Sequence, residues 1–193
     1  KLTYNFPGFT CISVNEEAAH GIPGTKVLQA GDLVNIDVSA EMDGFFADTG
    51  GSAIIPPESK LHLRICAAAK QALENAMLEA RAGARLNRIG HAIESEAIRN
   101  GFTVIENLGS HGVGRALHEE PEFIPGYFDK RDKRVLKENQ VITIEPFISS
   151  GAREVFDNGD GWTLVTSPGV FTAQYEHTLV ITKGAPLIMT LPN

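Results

Sequence analysis

The chain has 193 residues, of which 42% are hydrophobic and 21% charged, a composition typical of a globular domain with one core. Its net charge of −7 argues against the basic face through which proteins bind nucleic acid electrostatically. No apolar run approaches the roughly 18 residues of a membrane span, and the two cysteines, Cys11 and Cys66, form no C-x-x-C pair. We therefore expect a cytoplasmic protein without a disulfide framework, a cysteine zinc site or a membrane partner.

Strand-forming stretches occur in both halves of the chain. The dipeptide Asp43-Gly44 predicts a two-residue hairpin turn between two of them, because both turn positions require positive φ angles. The predicted strands are 11–14, 33–42, 45–55, 102–105, 141–148, 162–166 and 170–182.

Two helices are predicted between these groups of strands. The first runs from about residue 58 to 81 and stops near Gly83, and the second runs from Asn87, as its cap, to residue 100 and stops at Gly101. The polar stretch 119–139 predicts a long loop. The order of a hairpin, two helices and further strands indicates an α+β fold and not an alternating parallel sheet.

The hairpin brings two aspartates to one face of its sheet. A two-residue turn pairs Met42 with Phe45 and, counting outward, Ser39 with Asp48, so that Asp37 becomes a diagonal neighbour of Asp48. Two ionised carboxylates so close would repel, and a divalent cation would remove the conflict. The alternative is that both are surface acids of an exposed hairpin, although the flanking residues are apolar.

A glycine-rich phrase, S-H-G-V-G-R-A-L-H-E-E-P, contains His111 and His118. The residues alone leave open whether these histidines form a site or are hydrogen-bonded structural groups. The H-E-x-x-H spacing of a mononuclear zinc protease is absent. Glu145 and Glu176 end or interrupt further β-prone phrases, where an unpaired carboxylate would be unfavourable unless it holds a metal.

Six phrases occur in this order along the chain: C-I-S-V-N-E-E-A-A-H-G-I-P, G-D-L-V-N-I-D-V, A-D-T, S-H-G-V-G-R-A-L-H-E-E-P, I-T-I-E-P and A-Q-Y-E-H-T. Together they resemble the type I methionine aminopeptidases of the M24 peptidase family, especially those of Gram-positive bacteria. The resemblance covers nearly the whole chain and implies a single metallopeptidase domain over residues 1–193. It implies the pita-bread fold, in which two related α-β halves surround a curved antiparallel sheet.

The same resemblance implies the roles of individual residues. The implied metal ligands are Asp37, Asp48, His111, Glu145 and Glu176, and His20 and His118 are the implied substrate contacts. Four carboxylates match two divalent ions, for which the oxygen-rich set favours Mn, Fe(II) or Co, with Mg and Zn as alternatives.

The implied reaction removes the N-terminal methionine from nascent proteins and peptides with a small second residue. A metal-activated water attacks the first peptide bond, and Glu145 carries the proton. His118 stabilises the carbonyl oxygen and His20 contacts the scissile nitrogen. We expect a monomer, and leave open whether it associates with the ribosome.

The methionine side chain requires an apolar pocket. Phe6, Cys11 and Trp162 are the candidate wall residues, and Tyr4 and Phe9 are weaker candidates. The alternative for each of them is ordinary core packing.

Other histidines carry no functional prediction. His62 and His91 are expected on helix surfaces, and His177 on the face opposite Glu176.

Two features depart from the family pattern. The family normally has some tens of residues before the C-I-S-V strand, and without them one outer face of the first half is expected to be uncovered. Gly50-Gly51 after A-D-T is also unusual, and we expect only a local effect on the strand.

The 31-residue interval between Glu145 and Glu176 leaves no room for the helical insertion of type II enzymes.

Two other functions compete with this interpretation. One is a pita-bread peptidase that cleaves Xaa-Pro bonds, although such enzymes usually carry a large extra N-terminal domain. The other is a pita-bread binding module that has lost catalysis, although such modules lose metal ligands and all five matching positions are filled here.

Overall fold

The computed structural model describes residues 5–191, in which there are two helices and fourteen strands. The helices are α1 (Lys60–Glu79) and α2 (Asn87–Arg99). The strands are β1 (Cys11–Val14), β2 (Glu17–Ala19), β3 (Leu33–Met42), β4 (Phe45–Ile54), β5 (Thr103–Val104), β6 (Gly109–Gly112), β7 (Glu119–Pro125), β8 (Val141–Ile144), β9 (Phe147–Ser149), β10 (Phe156–Asp157), β11 (Leu164–Val165), β12 (Thr172–Gln174), β13 (His177–Val180) and β14 (Leu187–Ile188). The predicted α+β class is confirmed.

The hairpin of β3 and β4 has the predicted register. Met42 pairs with Phe45 and Ser39 pairs with Asp48, and Asp43 and Gly44 have φ angles of 55° and 79°. Strand β1 pairs antiparallel with the other side of β3 and completes a three-stranded sheet. Along β3 the apolar side chains of Ile36 and Val38 are exposed, whereas Asn35 is buried and Asp37 partly buried on the opposite face.

A five-stranded antiparallel sheet, in the order β14-β13-β8-β6-β7, forms the second half of the structure. Two further three-stranded sheets have the orders β10-β11-β2 and β12-β9-β5. The loop before β13 joins the two halves, because the amide of Glu176 donates a hydrogen bond of 2.9 Å to the carbonyl of Gly50 on β4.

The main core lies between the helices and the sheets. Alanine and isoleucine side chains of α1 and α2 pack against each other and against the inner faces of the second half. Ser59 caps α1 by accepting a hydrogen bond of 3.0 Å from the amide of His62. The many alanines of α1 let the two helices and the sheet approach closely, and burial of their apolar surface stabilises the arrangement. No helix of the described residues combines the length and hydropathy that crossing a membrane requires.

The predicted loop 119–139 is wrong at its start. Residues Glu119–Pro125 form β7, which pairs with β6 through a register shift between Ser110 and Gly112. The polar phrase E-E-P-E lacks the alternation of apolar and polar residues that predicts a strand, because only Pro121 and Ile124 of this segment are buried. Pairing with β6 stabilises a segment whose own strand propensity is low.

Details of the helices also differ from the prediction. Helix α1 ends at Glu79, before Gly83, and Leu86 occupies the cap position of α2. Asn87 is the first residue of α2, and its side chain donates a hydrogen bond of 3.0 Å to the Asp129 carbonyl instead of capping the helix. Helix α2 stops before Gly101, which has the positive φ of 75° expected of a helix stop.

The expectation that His62 lies on a helix surface is wrong. His62 is 7% exposed, and its ring contacts Phe171 edge-on, with 4.5 Å between the ring centroids. His91 lies on the exposed face of α2, as expected. His177 does not line the cavity described below, and its Nδ1 lies 2.8 Å from the Thr190 hydroxyl.

Candidate active site

Four carboxylates and one imidazole from distant parts of the chain meet at the centre of the molecule. Ligand atoms of Asp48, His111 and Glu176 all lie within 4.8 Å of one another, and these residues are 6%, 5% and 1% exposed. Glu145 joins them, with its Oε1 3.3 Å from Nε2 of His111. Asp37, a diagonal neighbour of Asp48 in the hairpin register, lines the cavity described below, and its carboxyl is close enough to Asp48 for their charges to interact.

Hydrogen bonds within and beyond the hairpin hold Asp48 in place. The Ser39 hydroxyl donates a hydrogen bond of 3.0 Å to Oδ1 of Asp48. The amide of Asp48 donates to the Thr178 hydroxyl, which in turn donates to the Asp48 carbonyl, each over 2.8 Å. The hairpin is therefore bound to β13, the strand that follows Glu176.

His111 is oriented for ligation through Nε2. Its Nδ1 lies 2.9 Å from the Gly112 carbonyl, a contact that places the ring proton on Nδ1 and leaves the Nε2 lone pair facing Asp48 and Glu145. The Thr143 hydroxyl accepts a hydrogen bond from the amide of His111 and donates one of 3.1 Å to Oε1 of Glu145. Thr143 thus connects an imidazole on β6 with a carboxylate just after β8.

The acidic side chains oppose one another's ionisation. Burial raises the pKa of Glu145 and of Glu176 well above the usual glutamate value, and the charges of neighbouring carboxylates raise both further. Burial and then the charge of Asp48 raise the pKa of Asp37 well above its usual value, and burial also raises the pKa of Asp48. Four buried carboxylates that resist ionisation require positive charge if all four are to be ionised.

These residues fit divalent metal ions. Within the described residues, Oε1 of Glu176 is buried without a hydrogen-bond partner, which is costly for a carboxylate oxygen unless a cation binds it. The donor set consists of oxygens and one imidazole without thiolate, the set preferred by Mn(II), Fe(II), Co(II) and Mg(II).

A cavity of about 340 Å³ opens above this cluster. Its wall includes all three predicted residues, Phe6, Cys11 and Trp162, together with Phe9. Phe6 and Trp162 pack edge to face with their ring centroids 5.2 Å apart. Tyr4 lies outside the described residues.

Cys11 lies close to the acidic cluster. It pairs with Asp37 across β1 and β3, and burial, followed by the charges of the two aspartates, raises the pKa of its thiol to about 12. At neutral pH the thiol is therefore protonated and acts as a small apolar group.

His20 and His118 both line the cavity. The rings of His118 and His111 are adjacent, with centroids 4.2 Å apart. Burial lowers the pKa of His20 and of His118 below the usual histidine value, and a neighbouring histidine lowers each further. Both are therefore neutral at pH 7 and can donate or accept a hydrogen bond.

Further residues line the cavity that the sequence analysis did not single out. Leu117 directly precedes His118, and its position in the glycine-histidine phrase was an available signal. Glu122 and Phe123 are exposed residues of β7, and they were missed because that strand was interpreted as a loop.

The chain is similar to known metallopeptidases. The model of metallopeptidase family M24 matches residues 1–183. The chain is 51% identical over 189 residues to methionine aminopeptidase 2 of Bacillus subtilis (strain 168), covering 97% of this chain and 76% of that protein.

Solved structures share the fold. A methionine aminopeptidase from Thermotoga maritima superposes with a TM-score of 0.91 at 37% identity, over 95% of this chain and 74% of that one. A prolidase from Pyrococcus furiosus has a TM-score of 0.77 at 24% identity, over 96% of this chain and 49% of the other, a likeness of fold alone. The predicted pita-bread fold is confirmed, and the chain belongs to metallopeptidase family M24, within its methionine aminopeptidases.

Proposed function

We propose that this protein removes the N-terminal methionine from peptides and nascent proteins, with the acidic cluster and cavity described above as its active site. The observation that carries the proposal is the convergence of four carboxylates and one Nε2 lone pair at the floor of an apolar cavity. The 51% identity to a methionine aminopeptidase supports the same reaction.

The five side chains of the cluster would hold two divalent cations. The ligands are Asp37, Asp48, His111, Glu145 and Glu176. Two such ions balance four ionised carboxylates, and Mn, Fe(II) or Co suits the donor set better than a thiolate-selecting metal. Bound there, divalent cations supply Lewis-acid polarisation of a carbonyl and activation of water.

The residues around the cluster would divide the remaining tasks. Glu145 accepts the proton of the attacking water and delivers it to the leaving nitrogen. His118 donates a hydrogen bond to the carbonyl oxygen of the scissile bond, where negative charge develops. His20, which also lines the cavity, contacts the scissile nitrogen.

Selection of methionine would depend on the apolar wall. Phe6 and Trp162 enclose a flexible, unbranched side chain, and the protonated thiol of Cys11 adds a small polarisable contact. A single methylene changes the selectivity of such a pocket by only about 1–3 kcal/mol. We therefore expect a clear preference for methionine but slow cleavage after similar apolar residues.

The five proposed ligands already meet within a single chain, so the site needs no residue from a second subunit, and we infer that a monomer is sufficient for activity. Both cysteines are free thiols, which supports a reducing compartment such as the cytoplasm.

The test is hydrolysis of a peptide panel after metal loading. Protein loaded with Mn(II) or Co(II) should release methionine from Met-Gly-Ser, and should leave Leu-Gly-Ser nearly intact and Met-Pro and Xaa-Pro peptides uncleaved. Cleavage of the Xaa-Pro peptides instead would identify a prolidase activity. Bound metal without turnover of any peptide would contradict the proposed function.

A further inference from the structure

The side chain of Gln174 lies directly against Glu176, two residues further along the chain. Its Nε2 donates a hydrogen bond of 3.0 Å to Oε2 of Glu176, and both residues are 1% exposed. The other carboxylate oxygen, Oε1, is the buried atom without a partner among the described residues. Gln174 therefore holds one oxygen of this carboxylate and leaves the other available.

The amide of Gln174 is itself held in one orientation. Nδ2 of Asn35, on strand β3 of a different sheet, donates a hydrogen bond of 2.8 Å to Oε1 of Gln174. Ser52 binds the backbone of Gln174 at both polar atoms, with each hydrogen bond 3.0 Å long. Because Oε1 of Gln174 accepts from Asn35, the donating Nε2 is turned toward Glu176.

Gly50 makes space for this amide. A Cβ atom at position 50 would lie 2.6 Å from Oε1 and 2.9 Å from Nε2 of Gln174, closer than such atoms approach in proteins. The neighbouring Gly51 differs, since a Cβ there would meet only the Tyr175 ring at 3.5 Å, an ordinary contact. The unusual glycine pair after Asp48 thus contains one residue that the Gln174 amide requires and one that it does not.

We propose that Gln174 is a positioning residue that sets the orientation of the Glu176 carboxylate for metal binding, and that Gly50 is required because it leaves room for the Gln174 amide. This inference rests on the proposed function, because it takes Glu176 to be a metal ligand. Groups that orient a metal ligand commonly change metal affinity by about 10- to 100-fold when they are removed.

The experiment titrates Co(II) into chelator-treated protein and records both the dissociation constant by calorimetry and the visible absorption spectrum of the bound ion. Gln174→Met keeps the length of the side chain but removes the donor. It should weaken Co(II) binding about 10- to 100-fold and alter the spectrum. Gly50→Ala should act in the same direction, and Gly51→Ala is the matched control, which should keep the wild-type affinity and spectrum.

A double variant tests whether Gly50 acts through Gln174. Combining Gly50→Ala with Gln174→Met should weaken Co(II) binding little more than Gln174→Met alone, whereas independent effects would multiply. The melting temperature of each metal-free variant shows whether it is folded. If Gln174→Met fails to fold, Gly50→Ala alone decides, since it deletes no side chain.

The outcomes separate this inference from the proposed function. If folded Gln174→Met and Gly50→Ala bind Co(II) with an affinity within twofold of wild type and with the same spectrum, the positioning role is overturned while the metal site stands. If the wild-type protein itself binds no Co(II), the result contradicts the proposed function and not only the positioning role.

Discussion

The floor and the wall of the cavity are held in place in different ways. The floor is the acidic cluster with His111, and the wall consists of Phe6, Phe9, Cys11 and Trp162. On the floor, Asp48 lies within the paired strand β4 and Glu176 directly before β13, and both are nearly inaccessible to water and fixed by hydrogen bonds. On the wall, Phe9 is 86% exposed, and Phe6 and Trp162 lie outside the strands and pack against each other. The proposed metal ligands therefore lie where hydrogen bonds fix their positions. The aromatic side chains proposed to select the substrate lie outside the strands, where substitutions are more easily tolerated.

The largest expected effect comes from a change on the floor. Glu145→Gln keeps the shape of the side chain but removes the proton acceptor, and kcat for Met-Gly-Ser should fall by about 10²- to 10⁴-fold at saturating metal. Steady-state kinetics measures this. Glu120→Gln is the control, an exposed glutamate of β7 that does not line the cavity. A rise in KM with unchanged kcat would contradict the proton-shuttle role.

His118→Ala should have the next largest effect, because it removes a hydrogen-bond donor to the carbonyl oxygen. We expect kcat to fall by about 10²- to 10³-fold, with metal content unchanged. Metal analysis of the purified variant accompanies the kinetics, and His91→Ala on the exposed face of α2 is the matched control. Loss of metal from the His118 variant would mean that this histidine is a ligand.

Metal removal should destabilise the floor in a pH-dependent way. The folded-state pKa values of the four carboxylic acids lie above the usual values of 3.8 and 4.5, so the folded metal-free protein binds more protons than the unfolded chain. Its free energy of unfolding therefore falls as pH rises above these values and the acids ionise.

Differential scanning calorimetry checks this expectation. A fixed Mn(II) concentration, about 100-fold above the dissociation constant at pH 7.5, should raise the melting temperature by roughly 5–10 °C at pH 7.5 and by less at pH 5.5, where protons compete for the carboxylates. An equal metal-induced gain at both pH values would contradict the repulsion among the carboxylates.

Substitutions in the wall should have the smallest effects on activity. Trp162→Ala removes the aromatic partner of Phe6, and kcat/KM for Met-Gly-Ser should fall about 5- to 50-fold, mainly through KM. Phe9→Ala should change it by less than about twofold, since this side chain is mostly in water. A larger loss in kcat than in KM for Trp162→Ala would show that the wall also aligns the reacting groups.

The hairpin could be predicted from the sequence because its turn and register are local. Asp43-Gly44 determines the turn, and counting from it places Asp48 opposite Ser39, as observed. The meeting of these aspartates with His111, Glu145 and Glu176 could not be predicted locally. Their meeting depends on contacts between β4 and the segment before β13, which are distant in sequence. Only the family resemblance predicted that these residues form one site.

Other features depend on partners far along the chain. The burial of His62 results from its contact with Phe171, and β7 exists because β6 pairs with it. Neither partner is implied by the local pattern. The role of Gly50 depends on a side chain at position 174 that fills the space of its missing Cβ, which no periodicity in the sequence indicates.

The most direct test of the central claim is a metal titration of chelator-treated protein with simultaneous measurement of Met-Gly-Ser hydrolysis. The account predicts that Mn(II) or Co(II) binds up to two ions per chain, that methionine release returns with binding, and that Asp48→Ala loses both. Methionine release by metal-free protein, or full metal binding and activity in the Asp48 variant, would contradict it.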